Sequence, residues 1–276
     1  MPTPIAVDRL VTGVLEDVAA REAKVSFQDI KAKSRSMEPP RDAKAALLSN
    51  GCSVITEFKR AVPYLGEIAR LDNPERMERL ARDFEEAGVV MMACQTDRRR
   101  FHGSLDDMRL IRAATEVPMI CRDIIVDPYQ IHEARCFGAD VVPLQVVLLE
   151  QARLEALLDR IESLGMVALL EIRSSQDADR AMQAGGTVVG INAWSLSSDA
   201  IDRGAFAEIV PGLPESLLRI AVGGVENPRN LLGYASQGAD AVLVGESVMT
   251  AQDPTALARS LVAAGKHPAC PSRKTP

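Results

Sequence analysis

The sequence predicts a single (β/α)8 barrel carrying an N-terminal helical extension. Three observations predict it. The chain has 276 residues, close to the roughly 250 of one such barrel. From about residue 52, short apolar β-branched runs alternate with amphipathic stretches, the pattern of βα units feeding a parallel sheet. The runs number eight, which favours closure over an open doubly wound sheet, the structural alternative. With 47% hydrophobic and 25% charged residues, a disordered or fibrous chain is excluded.

The strands are expected at residues 53–58, 90–94, 118–121, 140–145, 167–172, 187–191, 218–222 and 240–244. After the first, Asn73 and Pro74 make an N-cap and first-turn pair, Met77, Leu80, Ala81 and Phe84 form an apolar stripe at helical spacing, and Gly88 ends the helix. Residues 131–137, 154–161, 178–182, 231–235 and 257–262 repeat that logic, with Gly138, Gly165, Gly185, Gly238 and Gly265 as stops. A Gly-Ala-Asp or similar turn returns before the following strand. Residues 1–50 read as an extension of two helices, 7–22 and 27–34, joined through Pro39, Pro40 and Arg41 to a barrel over 51–266. Residues 267–276 are Pro-rich and polar, which suggests a mobile tail.

The net charge of −6, from 32 basic and 38 acidic side chains, gives no footprint for nucleic acid. Arg98, Arg99 and Arg100 form the one dense basic run, better read as a solvated loop than as a site for an anionic small molecule. Five cysteines, odd in number and without CxxC pairs, indicate neither a disulfide framework nor a zinc site and suit the cytoplasm. No apolar run directs the chain to a membrane. His102, His132 and His267 are too scattered for a metal site.

Barrels of this class build their sites where the strands end, so the polar residues closing each run are the candidates. The first strand ends Glu57-Phe58-Lys59-Arg60, the third Arg122-Asp123, the fifth Glu171-Ile172-Arg173 and the sixth Asn192. Any one of these charges alone is equally well read as part of a structural ion-pair layer. Together they place carboxylates, a lysine, an arginine and an amide on one rim. The last two strands end Val222-Gly223-Gly224 and Val244-Gly245-Glu246-Ser247, each opening a helix, where backbone N–H groups can cradle phosphate. A Gly-Gly pair by itself would read as a turn.

The same residues resemble the indole-3-glycerol phosphate synthase family over nearly the whole chain. The carriers are Glu57-Phe58-Lys59-Arg60-Ala61-Val62-Pro63, Phe101-His102-Gly103-Ser104-Leu105, Arg122-Asp123, Asp127-Pro128-Tyr129-Gln130-Ile131-His132-Glu133-Ala134, Leu170-Glu171-Ile172, Gly190-Ile191-Asn192 and Val244-Gly245-Glu246-Ser247. The N-terminal helices and the His-Pro-Ala-Cys-Pro tail look most like actinobacterial members. The resemblance implies a tryptophan-pathway lyase that closes carboxyphenylamino-deoxyribulose phosphate into indoleglycerol phosphate with loss of CO2 and water, without a cofactor. It implies catalytic positions at Glu57, Lys59, Arg122, Glu171 and Asn192, with Glu171 as general base, and a phosphate site from Lys59, Gly224, Gly245, Glu246 and Ser247.

Several positions depart from the family pattern. Arg122 stands where the family has a lysine taken as general acid, and arginine, with a pKa above about 12, is a poor proton donor near neutrality. Val222 stands for a glutamate, Val62 and Tyr64 for serines of a phosphate-contacting loop, and Trp194 for an arginine near the anthranilate carboxylate. Pro143 and Gln145 enter a fourth strand that is otherwise apolar. The replacements at Arg122 and Val222 favour impaired or lost synthase activity, with the barrel binding a small phosphorylated metabolite or a protein partner. The alternatives are an active synthase, and a different reaction on a related phosphosugar. A pocket still open around Arg122 and Glu171 favours catalysis; a collapsed one, with Trp194 as plug, favours binding alone.

Overall fold

The computed structural model describes residues 4–48, 51–194 and 201–273. The barrel strands are β1 (Ser53–Phe58), β4 (Met91–Gln95), β5 (Met119–Arg122), β6 (Val141–Gln145), β7 (Val167–Ile172), β8 (Val188–Asn192), β9 (Leu218–Val222) and β10 (Ala241–Val244). They close in the order β1-β10-β9-β8-β7-β6-β5-β4, every neighbouring pair parallel. Each expected strand is present, with ends displaced by a residue at most. Two short strands, β2 (Ala61–Val62) and β3 (Gly66–Glu67), form an antiparallel hairpin over the rim that sequence periodicity did not show.

Side-chain alternation with period two sorts each strand between two cores. Ile55, Met91, Ala93, Ile120, Leu169, Val188 and Ile220 fill the barrel interior, while Val54, Met92, Cys121, Leu170 and Val189 face the helices. Continuing the inward set by two residues lands on Glu57, Gln95, Arg122, Glu171 and Val222, and by four residues from Val188 on Asn192. The apolar interior therefore gives way to polar groups at the C-terminal end of the strands. Pro143 stays within β6, opposite Leu169 of β7. Lacking an N–H it cannot extend the ladder toward β5, which pairs with β6 at Ile120 and Val141.

The extension comprises α1 (Pro4–Glu22), α2 (Phe27–Arg35) and a third, unanticipated helix, α3 (Ala43–Leu47). Ala43 and Leu47 join the interior cluster and plug the bottom of the barrel. The second helix lies on the helix Pro128–Cys136, where Ser34 Oγ is 2.7 Å from His132 Nδ1. Nearby, Tyr129 donates to the Val25 carbonyl and Arg21 pairs with Glu133 at 3.0 Å. From Tyr129 to Cys136 this helix is entirely buried, so the distinctive run Asp127 to Ala134 serves the seating of the extension. Burial lowers the His132 pKa to about 4, keeping the imidazole neutral.

The Gly-Ala-Asp turns at 138–140 and 238–240 place an aspartate below the barrel twice. Asp140 is fully buried and accepts from the Arg41 and Met119 backbone N–H groups, both at 2.7 Å, and from the Arg112 guanidinium. Asp240 accepts from the Arg219 N–H at 2.8 Å and pairs with Arg273. As far as Arg273 the tail packs on the barrel, with Cys270 buried; residues 274–276 lie outside the described residues. Asp140→Ala strands a buried guanidinium and two backbone donors, so urea denaturation is expected to show a loss of about 3 kcal/mol. A loss under 1 kcal/mol would mean that water replaces the carboxylate.

Candidate functional site

A cavity of about 720 Å3 opens at the C-terminal end of the barrel. Every barrel strand contributes to its wall: Glu57, Gln95, Arg122, Gln145, Glu171, Asn192, Val222 and Val244. The nine residues expected to carry chemistry or to hold phosphate, Lys59 belonging to both sets, all line it. Leu10 of α1 adds a piece of the outer wall.

A charged chain runs across the floor. Glu57, 2% exposed, receives Lys59 Nζ at 2.8 Å on one carboxylate oxygen and, on the other, Gln95 Nε2 at 2.9 Å and Arg122 Nε at 3.1 Å. Burial raises the Glu57 pKa, but Lys59 and Arg122 outweigh it and hold the carboxyl below its ordinary value. The Arg122 guanidinium reaches on to Glu171, whose second oxygen accepts from Asn192 Nδ2 at 3.2 Å. Asn192 is oriented in turn by the Trp194 N–H, 3.0 Å from its Oδ1. Lys59 Nζ also lies 5.6 Å from the Phe101 ring centroid, a cation–π distance.

Gly245 has a reason beyond phosphate. A Cβ there would stand 2.1 Å from Glu57 Oε2, so only glycine lets the carboxylate keep its place. Gly224 has φ +74° and a Cβ there would meet the Tyr234 hydroxyl at 2.7 Å. Glu246 and Ser247 open the short helix Glu246–Thr250, with the Ser247 hydroxyl donating to the Val225 carbonyl at 2.8 Å and the Glu246 carboxylate accepting from Tyr64. Tyr64, on the β2–β3 hairpin, is stacked on Trp194 with ring centroids 4.5 Å apart. Trp194, expected as a plug, is thus drawn aside as wall, and the cavity is open.

Gln95, Asp123 and Arg173 also line the cavity, the last two being strand-end residues in the sequence without an assigned role. Gln95 could have been found by following the alternation of Met91 and Ala93 one step further. Asp123 faces Thr96, whose hydroxyl donates at 2.7 Å, yet burial pushes its pKa up to about 6. Arg173 has no signal beyond its place at a strand end. Gln145 donates to the Asp123 carbonyl at 3.2 Å and leaves its buried Oε1 without a partner. The Arg98–Phe101 run is a short helix rather than a loop, with Arg100 bound to Asp97 and Arg99 to Asp17 of α1. Among the described residues, no group of three His, Cys, Asp or Glu side chains could hold a metal ion, and no helix is long and apolar enough to cross a membrane.

Fold and site together define a (β/α)8 barrel with an acid–base cluster under a glycine-lined rim. The family model for indole-3-glycerol phosphate synthase matches residues 7–261. An indole-3-glycerol phosphate synthase of Mycobacterium sp. (strain KMS) is 49% identical over 271 residues, 98% of each chain. That of Mycobacterium leprae (strain Br4923) is 49% identical over 264 residues, 96% of each. The chain belongs to the indole-3-glycerol phosphate synthase family, lyases of tryptophan biosynthesis that act on a phosphorylated substrate. Among solved structures, 3-hexulose-6-phosphate synthase from Salmonella typhimurium superposes with a TM-score of 0.62 at 13% identity, covering 77% of this chain and 97% of that one. N-acetylmannosamine-6-phosphate 2-epimerase from Clostridium perfringens gives 0.58 at 16% identity, covering 77% and 93%. These two share the fold.

Proposed function

We propose that the protein is an active indole-3-glycerol phosphate synthase, converting carboxyphenylamino-deoxyribulose phosphate to indoleglycerol phosphate, CO2 and water in the cytoplasm. The observation that carries this reading is the open cavity with Glu57, Lys59, Arg122, Glu171 and Asn192 linked across its floor. Identity near one half over almost the full length of curated synthases supports it.

In this reading Lys59, the one lysine lining the cavity among the described residues, donates the proton to the substrate ketone as the new carbon–carbon bond forms. Arg122 stabilises the negative charge gathering on that oxygen without giving up a proton. Glu171, held by Arg122 and Asn192, removes the proton lost as the ring becomes aromatic. Gly224, Gly245 and the N–H groups of Glu246 and Ser247 receive the phosphate, with Lys59 nearby. Five cysteines carried as thiols support a reducing compartment.

A second reading is favoured by one observation: Arg122 is spent on two carboxylates, and Val222 offers no proton-transfer group beside it. On that reading synthase activity is lost and the cavity binds a phosphorylated metabolite. Purified protein incubated with carboxyphenylamino-deoxyribulose phosphate separates the two by indole fluorescence. Turnover is expected, with kcat falling about 10²-fold or more in Glu171→Gln. Folded protein without turnover would sink the synthase reading.

A further inference from the structure

One cation in the cavity wall lacks an ionic partner. Lys59 is bound to Glu57, Arg122 to Glu57 and Glu171, and Arg100 to Asp97. Arg173, two residues beyond Glu171, lines the same cavity and makes no ion pair among the described residues. Its Nε donates to the Trp194 carbonyl at 3.2 Å, and neither Nη group has an acceptor among the described residues. The nearby Asp177 carboxylate accepts the Arg173 backbone N–H at 3.0 Å instead of the guanidinium. Burial lowers the Arg173 pKa to about 10, with the Arg122 charge adding to it, so the group stays protonated at neutral pH.

Holding a desolvated charge without a directly paired counter-ion is costly, and a guanidinium presents a planar fork that fits an oxyanion. Its place in the ring distinguishes it from the phosphate loops. In the closed order, β7 lies four strands from β1, so Arg173 faces Lys59 across the cavity. The loops after β9 and β10 are two and three strands away from it. Beyond Gln145 and Asn192, the segments after the neighbouring strands add apolar and aromatic wall, with Leu148 after β6 and Trp194, stacked on Tyr64, after β8.

We infer that Arg173 is a second anion-recognition residue of the cavity, binding a carboxylate carried on a planar aromatic part of the ligand, apart from the phosphate loops. This deepens the proposed function and rests on its assignment of an aryl-bearing phosphorylated substrate to the cavity.

Trp194 is the single tryptophan, so its fluorescence reports directly on this wall. Titrating the full-length protein with benzoate is expected to give a saturable change, with benzamide, the uncharged isostere, binding about tenfold or more weakly. Arg173→Met is expected to lower benzoate affinity about tenfold or more without altering benzamide. Arg173→Lys, which keeps the charge, retains part of the benzoate affinity, and inorganic phosphate does not compete with benzoate. Equal binding of the two probes, undiminished benzoate binding in Arg173→Met, or absence of saturation in the wild type would overturn the inference, and competition by phosphate would overturn the carboxylate assignment. Benzoate binding through Arg173 in a chain without turnover would remove the synthase reading alone. Turnover with an unchanged KM in Arg173→Met would remove this inference alone.

Discussion

Changing Arg122 to lysine and Val222 to glutamate together raises kcat for ring closure about 10²-fold over the parent chain, the scale of one positioned proton donor. Arg122 sits between Glu57 and Glu171 and can polarise but not protonate. A lysine at that position carries an exchangeable proton between the same two carboxylates. Val222 lines the cavity at the end of β9, one strand from Asn192, so a glutamate there adds a carboxylate to the wall. Initial rates of indole formation check it, with the two single variants as controls. A double variant no faster than the parent would show that proton donation from Lys59 does not limit turnover, leaving nothing for a second donor to improve.

Glu57→Ala is expected to abolish turnover and to cost about 3 kcal/mol of stability, because it leaves the largely buried Lys59 and Arg122 partly unpaired. Urea denaturation at neutral pH reads the stability part. The sign with pH follows from the depressed carboxyl pKa. A group whose folded pKa lies below its unfolded value stabilises fully above the unfolded value, about 4.3, and loses that contribution as pH falls through the folded value. The stability gap between wild type and Glu57→Gln is therefore widest near neutrality and narrows in acid. A gap that widened in acid would contradict the assignment.

The barrel was legible because its strands announce themselves as β-branched runs and its helices stop at glycine. The limits of legibility are local. The β2–β3 hairpin has only two residues on each arm, too few to display alternation, and Pro63 and Leu65 within it read as an irregular loop. The third helix of the extension is five residues long, below what periodicity can register. At the site, residue types and strand ends were enough to bring Glu57, Lys59, Arg122, Glu171 and Asn192 to one rim. What they could not tell was who pairs with whom. That Glu57 takes Gln95 as well as two cations, that Gly245 exists to make room for it, and that Trp194 leans on Tyr64 depend on contacts between strands far apart in sequence. Arg173 closes its strand in the sequence, but that it forms no ion pair among the described residues is likewise a matter of contacts.

The paired aspartates beneath the barrel bear on how such a chain can change its chemistry. Asp140 clasps Arg41 of the segment leading out of the extension and Asp240 clasps Arg273 near the tail, both at the end of the barrel opposite the cavity. The fastenings that hold the fold shut and the groups that face a substrate thus occupy different poles of one molecule. A change at Arg122 or Val222, both in the cavity wall, touches neither fastening. Such a barrel can drift toward new ligands at its mouth while its foundations stay as they were.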